Sequence, residues 1–160
     1  MTDRRSEIVA ELEKNLKDSI SFFRSLSDDQ LNAQVYTDGA NWRVKQVLAH
    51  FITIERSMHW LFKNILSGGP GSPGDFDVER FNRSQPKKLD GLTVEELIEQ
   101  FKSVRKDTIG IVEGMTEQDF NREGMHPFHG HGKLERFIVW AYEHVRIHED
   151  DIRRVLSPGC

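Results

Sequence analysis

The stretch KLERFIVWAYEHVRIHEDDIRRVL, residues 133–156, repeats its apolar residues every three or four positions. Leu134, Phe137, Ala141, Val145, His148, Ile152 and Val155 fall on one stripe, the period of an amphipathic α-helix and not the alternation of a strand. Ser157-Pro158-Gly159 stops it, since proline cannot continue the helical hydrogen bonding and glycine suits the position past a helix end. One member of the stripe is a histidine, so this helix turns an imidazole towards whatever it packs against.

The same period recurs upstream. A polar segment through Gly124, Pro127, Gly130 and Gly132 precedes the helix, and before it Val94, Leu97, Phe101, Val104, Ile111 and Met115 mark another, ending near Gly114. Its start is the capping box Thr93-x-x-Glu96. Residues 75–92 show no sustained period and predict a long crossover, with one short helix over Val78 to Arg83. Gly68-Gly69-Pro70-Gly71-Ser72-Pro73-Gly74 closes a helix that starts at Trp42, with Asn41 as N-cap, and runs to Leu66. Its stripe is Val44, Val47, Phe51, Ile54, Met58, Leu61 and Ile65. The first helix spans residues 4–26 on Ile8, Leu12, Leu16, Ile20, Phe23 and Leu26, and Ser27-Asp28-Asp29-Gln30-Leu31 reads as a turn with a short capped helix. No segment alternates with strand period over a useful length. Four helices of roughly 20–26 residues, each about 30–40 Å long, predict a single all-α domain over residues 1–160, a four-helix bundle with at least one crossover.

Composition excludes several functions. The 160 residues are 37% hydrophobic and 30% charged, a soluble globular balance, and a net charge of −4 lacks the positive field that nucleic-acid binding requires. Cys160 is the single cysteine, so neither an internal disulfide nor a cysteine zinc cluster can form. The sequence from Met1 to Glu7 leads into the first amphipathic pattern, and no apolar run has the length of a signal peptide or membrane span. A cytoplasmic protein with no membrane and no nucleic-acid partner is expected.

Chemistry concentrates in histidines. His144 and His148 are four residues apart and stack on one helical face, so both imidazoles can reach one ion from one side. His50 lies mid-helix beside Val47, Phe51 and Ile54, so a third imidazole also faces inward. Buried imidazoles are costly without partners, and a shared metal takes the neutral ring nitrogens that burial favours. Three protein ligands leave a coordination position free for water or substrate, the pattern of catalytic zinc. The all-nitrogen set fits a divalent metal ion, zinc or nickel first, with iron, cobalt or manganese as further candidates.

Two segments carry a family likeness. Gly39-Ala40-Asn41-Trp42-Arg43-Val44-Lys45-Gln46-Val47-Leu48-Ala49-His50 resembles the tryptophan-to-histidine segment of DinB-like proteins. His126-Pro127-Phe128-His129-Gly130, followed by Glu143-His144 and His148, resembles their C-terminal half. The resemblance implies an up-down-down-up four-helix bundle with a long crossover loop, often a homodimer, with His50, His144 and His148 as metal ligands. Characterised relatives include bacillithiol-type S-transferases and mycothiol-dependent maleylpyruvate isomerases. Asp151 departs from the family, where a glutamine often precedes the aliphatic residue.

The expected activity is therefore a metal-dependent enzyme that activates a low-molecular-weight thiol or water for transfer or hydrolysis of a small-molecule substrate. The alternatives are a non-catalytic metal-stabilised binding or stress-response module and a metal-free helical interaction protein. His126, His129 and His131, between glycines, are expected to be solvated loop residues and not primary ligands. Glu55, about one turn after His50, is expected in an ion pair or at the surface, although it could also orient a ligand or act as a base. Glu143 is expected to face solvent, and Trp42 and Trp140 to anchor core or interface. Cys160 is expected to be idle.

Overall fold

The computed structural model describes residues 3–37 and 41–157. Cys160 and Pro158-Gly159, like Gly39-Ala40 of the tryptophan-to-histidine segment, lie outside these residues. Four long helices form the bundle: α1 (Arg4–Arg24), α3 (Val44–Leu66), α5 (Val94–Glu113) and α6 (Leu134–Leu156), with short helices α2 (Asp28–Leu31) and α4 (Val78–Ser84) in the connections. Among the described residues no helix is long and apolar enough to cross a membrane.

Pairings along the helices give their directions. Phe51 meets Phe101, Glu55 meets Arg105 and His59 meets Thr108, so α3 and α5 run parallel. Arg4 bonds Glu135, Glu11 bonds Arg146 and Arg153 covers Phe22, so α1 and α6 are parallel too. Arg5 reaches Met115 while Arg24 reaches Glu95, which makes α1 antiparallel to α5. The order is up-down-down-up, and the connection over residues 67–93 crosses the length of the bundle so that α5 repeats the direction of α3.

Two apolar clusters fill the interior. Towards one end Ile8, Leu12, Met58, Phe62, Val112, Phe120 and Phe137 pack together, and towards the other Phe23, Val47, Phe51, Leu97, Phe101 and Ile152 do so. Between them, buried Asn15, His50, Glu55, Arg105 and Thr108 bring polar groups to the centre. The capping box forms as expected, Glu96 N–H donating to Thr93 Oγ1 at 3.1 Å and Thr93 N–H to Glu96 Oε1 at 3.1 Å.

Two local readings are corrected. Helix α3 begins at Val44 and not Trp42, because residues 41–43 run extended: Val35 N–H donates to Trp42 O at 2.9 Å and Val44 N–H to Ala33 O at 3.0 Å. Asn41 does not cap; its Oδ1 accepts from Gln34 Nε2 at 2.6 Å. The glycine-rich segment before α6 is an antiparallel hairpin, β1 (Glu123–His126) against β2 (Gly130–Lys133). Its buried positions are Gly124 and His126, so no apolar alternation announces it. Gly71 clamps the hairpin: at φ +92° it lies against Met125, whose N–H donates to Pro70 O at 2.8 Å while Met125 O accepts from Ser72 N–H at 2.8 Å. A Cβ on Gly71 would stand 2.5 Å from both Met125 N and O.

Candidate metal centre

His50 projects from α3 and His144 and His148 from successive turns of α6, and the structure brings all three together. Each offers a ring nitrogen, and these lie within 4.8 Å of one another. His144 Nε2 is the hub, 3.2 Å from His50 Nε2 and 2.9 Å from His148 Nε2. A single imidazole nitrogen carries either one proton or one in-plane lone pair, so it cannot make hydrogen bonds to both neighbours. One ion between three lone pairs removes that conflict, and two nitrogens on a tetrahedral zinc stand roughly 3.3 Å apart for bonds of about 2.0–2.1 Å. The donor set fits a divalent cation.

Electrostatics favour the neutral, ligating form. Burial, followed by repulsion from His148, pushes the His50 pKa down to about 3, and burial pushes that of His148 down to about 4. Burial and then the neighbouring histidines hold His144 well below the usual imidazole value. The outer nitrogens are handled differently. His148 Nδ1 lies 2.7 Å from Tyr36 Oη, which donates to Asp151 Oδ2 at 2.5 Å. With the tyrosine proton committed to the carboxylate, His148 Nδ1–H donates to the phenol oxygen and Nε2 keeps its lone pair for the cluster. Asp151 is thus part of the hydrogen-bond chain that orients His148. His50 Nδ1 is buried without a partner among the described residues. Its ring is covered by Trp42 at 4.4 Å between centroids, as that of His144 is by Trp140 at 4.3 Å.

With this geometry in place, likeness to known proteins becomes informative. The sequence profile of the DinB superfamily matches residues 11–151, most of the chain and all three histidines. The chain belongs to the DinB superfamily. Among solved structures, YfiT from Bacillus subtilis superposes with a TM-score of 0.77 at 19% identity, covering 97% of this chain and 88% of that one. That protein is described as a probable metal-dependent hydrolase with an unusual four-helix bundle topology. At this identity the match speaks for the fold, and it agrees with the up-down-down-up order of this DinB-superfamily chain. No curated protein matches the chain.

The loop histidines part company. His131 is exposed, with Nδ1 3.9 Å from Glu123 Oε1. His126 is buried and His129 half-buried, correcting the expectation: His126 is 1% exposed and packs on Phe137 and Trp140, with His129 beside it. His126 Nδ1 accepts from the backbone N–H groups of Phe128 at 3.0 Å and His129 at 3.2 Å, which fixes the hairpin turn. Both rings also meet Trp140 edge-on, at 5.1 and 5.3 Å between centroids. Glu143 is exposed, and Trp42 is a core residue. Glu55 forms a buried ion pair with Arg105, a residue that stripe reading passed over.

Proposed function

We propose that this DinB-superfamily protein binds one divalent cation, zinc or nickel, through His50, His144 and His148, and is a metal-dependent hydrolase or thiol-dependent transferase of small molecules. The observation that carries it is the meeting of three neutral imidazoles at one nitrogen hub that hydrogen bonding alone cannot satisfy. A bound divalent cation supplies Lewis acidity, lowering the pKa of water or a thiol towards neutrality. The chain's own contribution is positional. Neutral ligands leave the cation's charge undiminished, Tyr36 and Asp151 hold His148 in the ligating tautomer, and Trp42 and Trp140 shield the rings of His50 and His144 from water. A nitrogen-only donor set suits zinc or nickel before manganese, which favours oxygen ligands.

The test is elemental analysis with metal titration of chelator-treated protein, followed by hydrolase and thiol-transfer screens on the loaded form. One equivalent of metal per chain, lost in His148→Ala, is the expected result. Full metal occupancy in His148→Ala, or none in the unaltered protein at micromolar zinc and nickel, overturns the reading.

A further inference from the structure

Glu55 and Arg105 are an expensive pair to bury: Arg105 is fully enclosed and Glu55 is 3% exposed. A buried ion pair is a weak source of stability, because desolvation offsets its attraction. Nearly all of its hydrogen bonding is accounted for. Arg105 Nε donates to Glu55 Oε2 at 2.8 Å and Nη2 to Oε1 at 2.8 Å, while Nη1 donates to Leu12 O and Asn15 Oδ1, each at 3.0 Å. Thr108 Oγ1 donates to Oε2 at 2.7 Å and receives His59 Nε2 at 2.7 Å. Among the described residues Oε2 therefore accepts twice and Oε1 once, which leaves one lone pair on Oε1 free.

Glu55 also borders a cavity of about 10 Å³, whose other walls are Phe51, Ile54, Met58, Trp140, Ala141, His144 and Val145. That is space for about one water. The polar side chains on its wall are Glu55, Trp140 and His144, and the Nε2 of His144 is already committed to the histidine hub.

We propose that one water in this cavity joins the Nδ1–H of His144 to the free lone pair of Glu55, making the Glu55–Arg105 pair the positioning group for the hub histidine. This rests on the metal-binding reading above. His148 has its own fixing partners in Tyr36 and Asp151, and Glu55 gives His144 the equivalent through water, so that Nε2 keeps its lone pair for the cation. Arg105, held by Asn15 and Leu12 of α1, fixes the carboxylate, which links the site to three helices.

The experiment uses cobalt(II) as the probe. Glu55→Met combined with Arg105→Met removes both charges and fills the interior, the kind of replacement that leaves fold stability near its starting value. The double variant is expected to bind cobalt(II) about 10–100-fold more weakly than the unaltered chain, with a shifted ligand-field spectrum, at a similar melting temperature. A folded double variant with unchanged affinity and spectrum overturns the proposal while leaving the triad intact. Cobalt(II) binding that also survives His144→Ala overturns the metal reading itself, and this proposal with it. A second measurement needs no substitution: the His144 Nδ1–H proton of the unaltered protein should show a cross-relaxation peak to a long-lived water in imidazole NMR spectra. Absence of that peak is equally fatal to the water bridge.

Discussion

Replacing His50 with leucine separates what the histidine cluster costs from what it provides. His50 is 2% exposed and its Nδ1 is buried without a partner among the described residues. A buried polar atom left unpaired costs about 1–3 kcal/mol, and leucine has a similar volume, no polar atom, and the same neighbours in Trp42 and Phe51 to pack against. In chelator, His50→Leu should therefore be more stable than the unaltered protein by about 1–3 kcal/mol. For a domain of this size each kcal/mol moves the Tm by about 2–4 °C, so the gain is roughly 2–12 °C. Added zinc reverses the order. At one hundred times its Kd a ligand stabilises the native state by about 2.7 kcal/mol, roughly 5–11 °C, and the variant lacks one of the three donors needed to hold it. Calorimetric Tm values for both proteins, in chelator and across graded zinc, should cross. A variant that melts below the unaltered protein in chelator refutes the cost assigned to His50. An equal zinc-dependent rise in both refutes its role as a ligand.

Metal-free protein should lose stability on acidification. His50 and His148 have folded pKa values of about 3 and about 4, below the ordinary 6.5, so the unfolded chain binds more protons between those limits. Their contribution is complete above about pH 6.5 and falls below it, by up to about 1.4 kcal/mol per pH unit per histidine; urea midpoints from pH 7 to 4 measure it, and His50→Leu should give a shallower slope. Tyr36→Phe removes the acceptor for His148 Nδ1–H and should weaken zinc binding about 10–100-fold, read by competition with a chromophoric chelator, with little change in Tm. Gly71→Ala forces a Cβ against Met125 backbone at a positive φ and should cost about 1–3 kcal/mol in thermal melts; an unchanged Tm contradicts the clamp on the hairpin.

The four long helices were legible because each buries a largely apolar stripe at helical spacing, and that spacing put His144 and His148 on a shared face. His50 followed from its place beside Phe51. The hairpin was hidden because its buried positions are Gly124 and His126, which carry no apolar signal. The start of α3 was misplaced because Asn41 is a good capping residue in isolation, whereas the pairing of residues 33–35 with 42–44 holds it in extended backbone. Burial of His126 depends on Phe137 and Trp140 closing over it, a contact with no local sequence signature.

The polar layer left a trace that apolar reading discards. In α5 the expected stripe jumps from Val104 to Ile111, and the structure fills that gap with buried Arg105 and Thr108, which continue the spacing from Leu97 and Phe101 to Val112. In α1 the buried positions between Leu12 and Phe23 are Asn15 and Ser19, on the same three-to-four spacing. A gap in one stripe is ambiguous, since a polar residue there can rotate to solvent or end the buried face. Polar residues buried on two helices that meet an acid on a third are different, because Arg105 finds its carboxylate in Glu55 and its amide oxygen in Asn15. Such a layer is hard to explain by stability, since apolar residues of similar size would hold the bundle at least as well. It lies where the two apolar clusters meet, with Glu55 sharing a cavity wall with His144. A core that interrupts its own apolar packing next to three converging histidines fits the metal-binding role proposed for them.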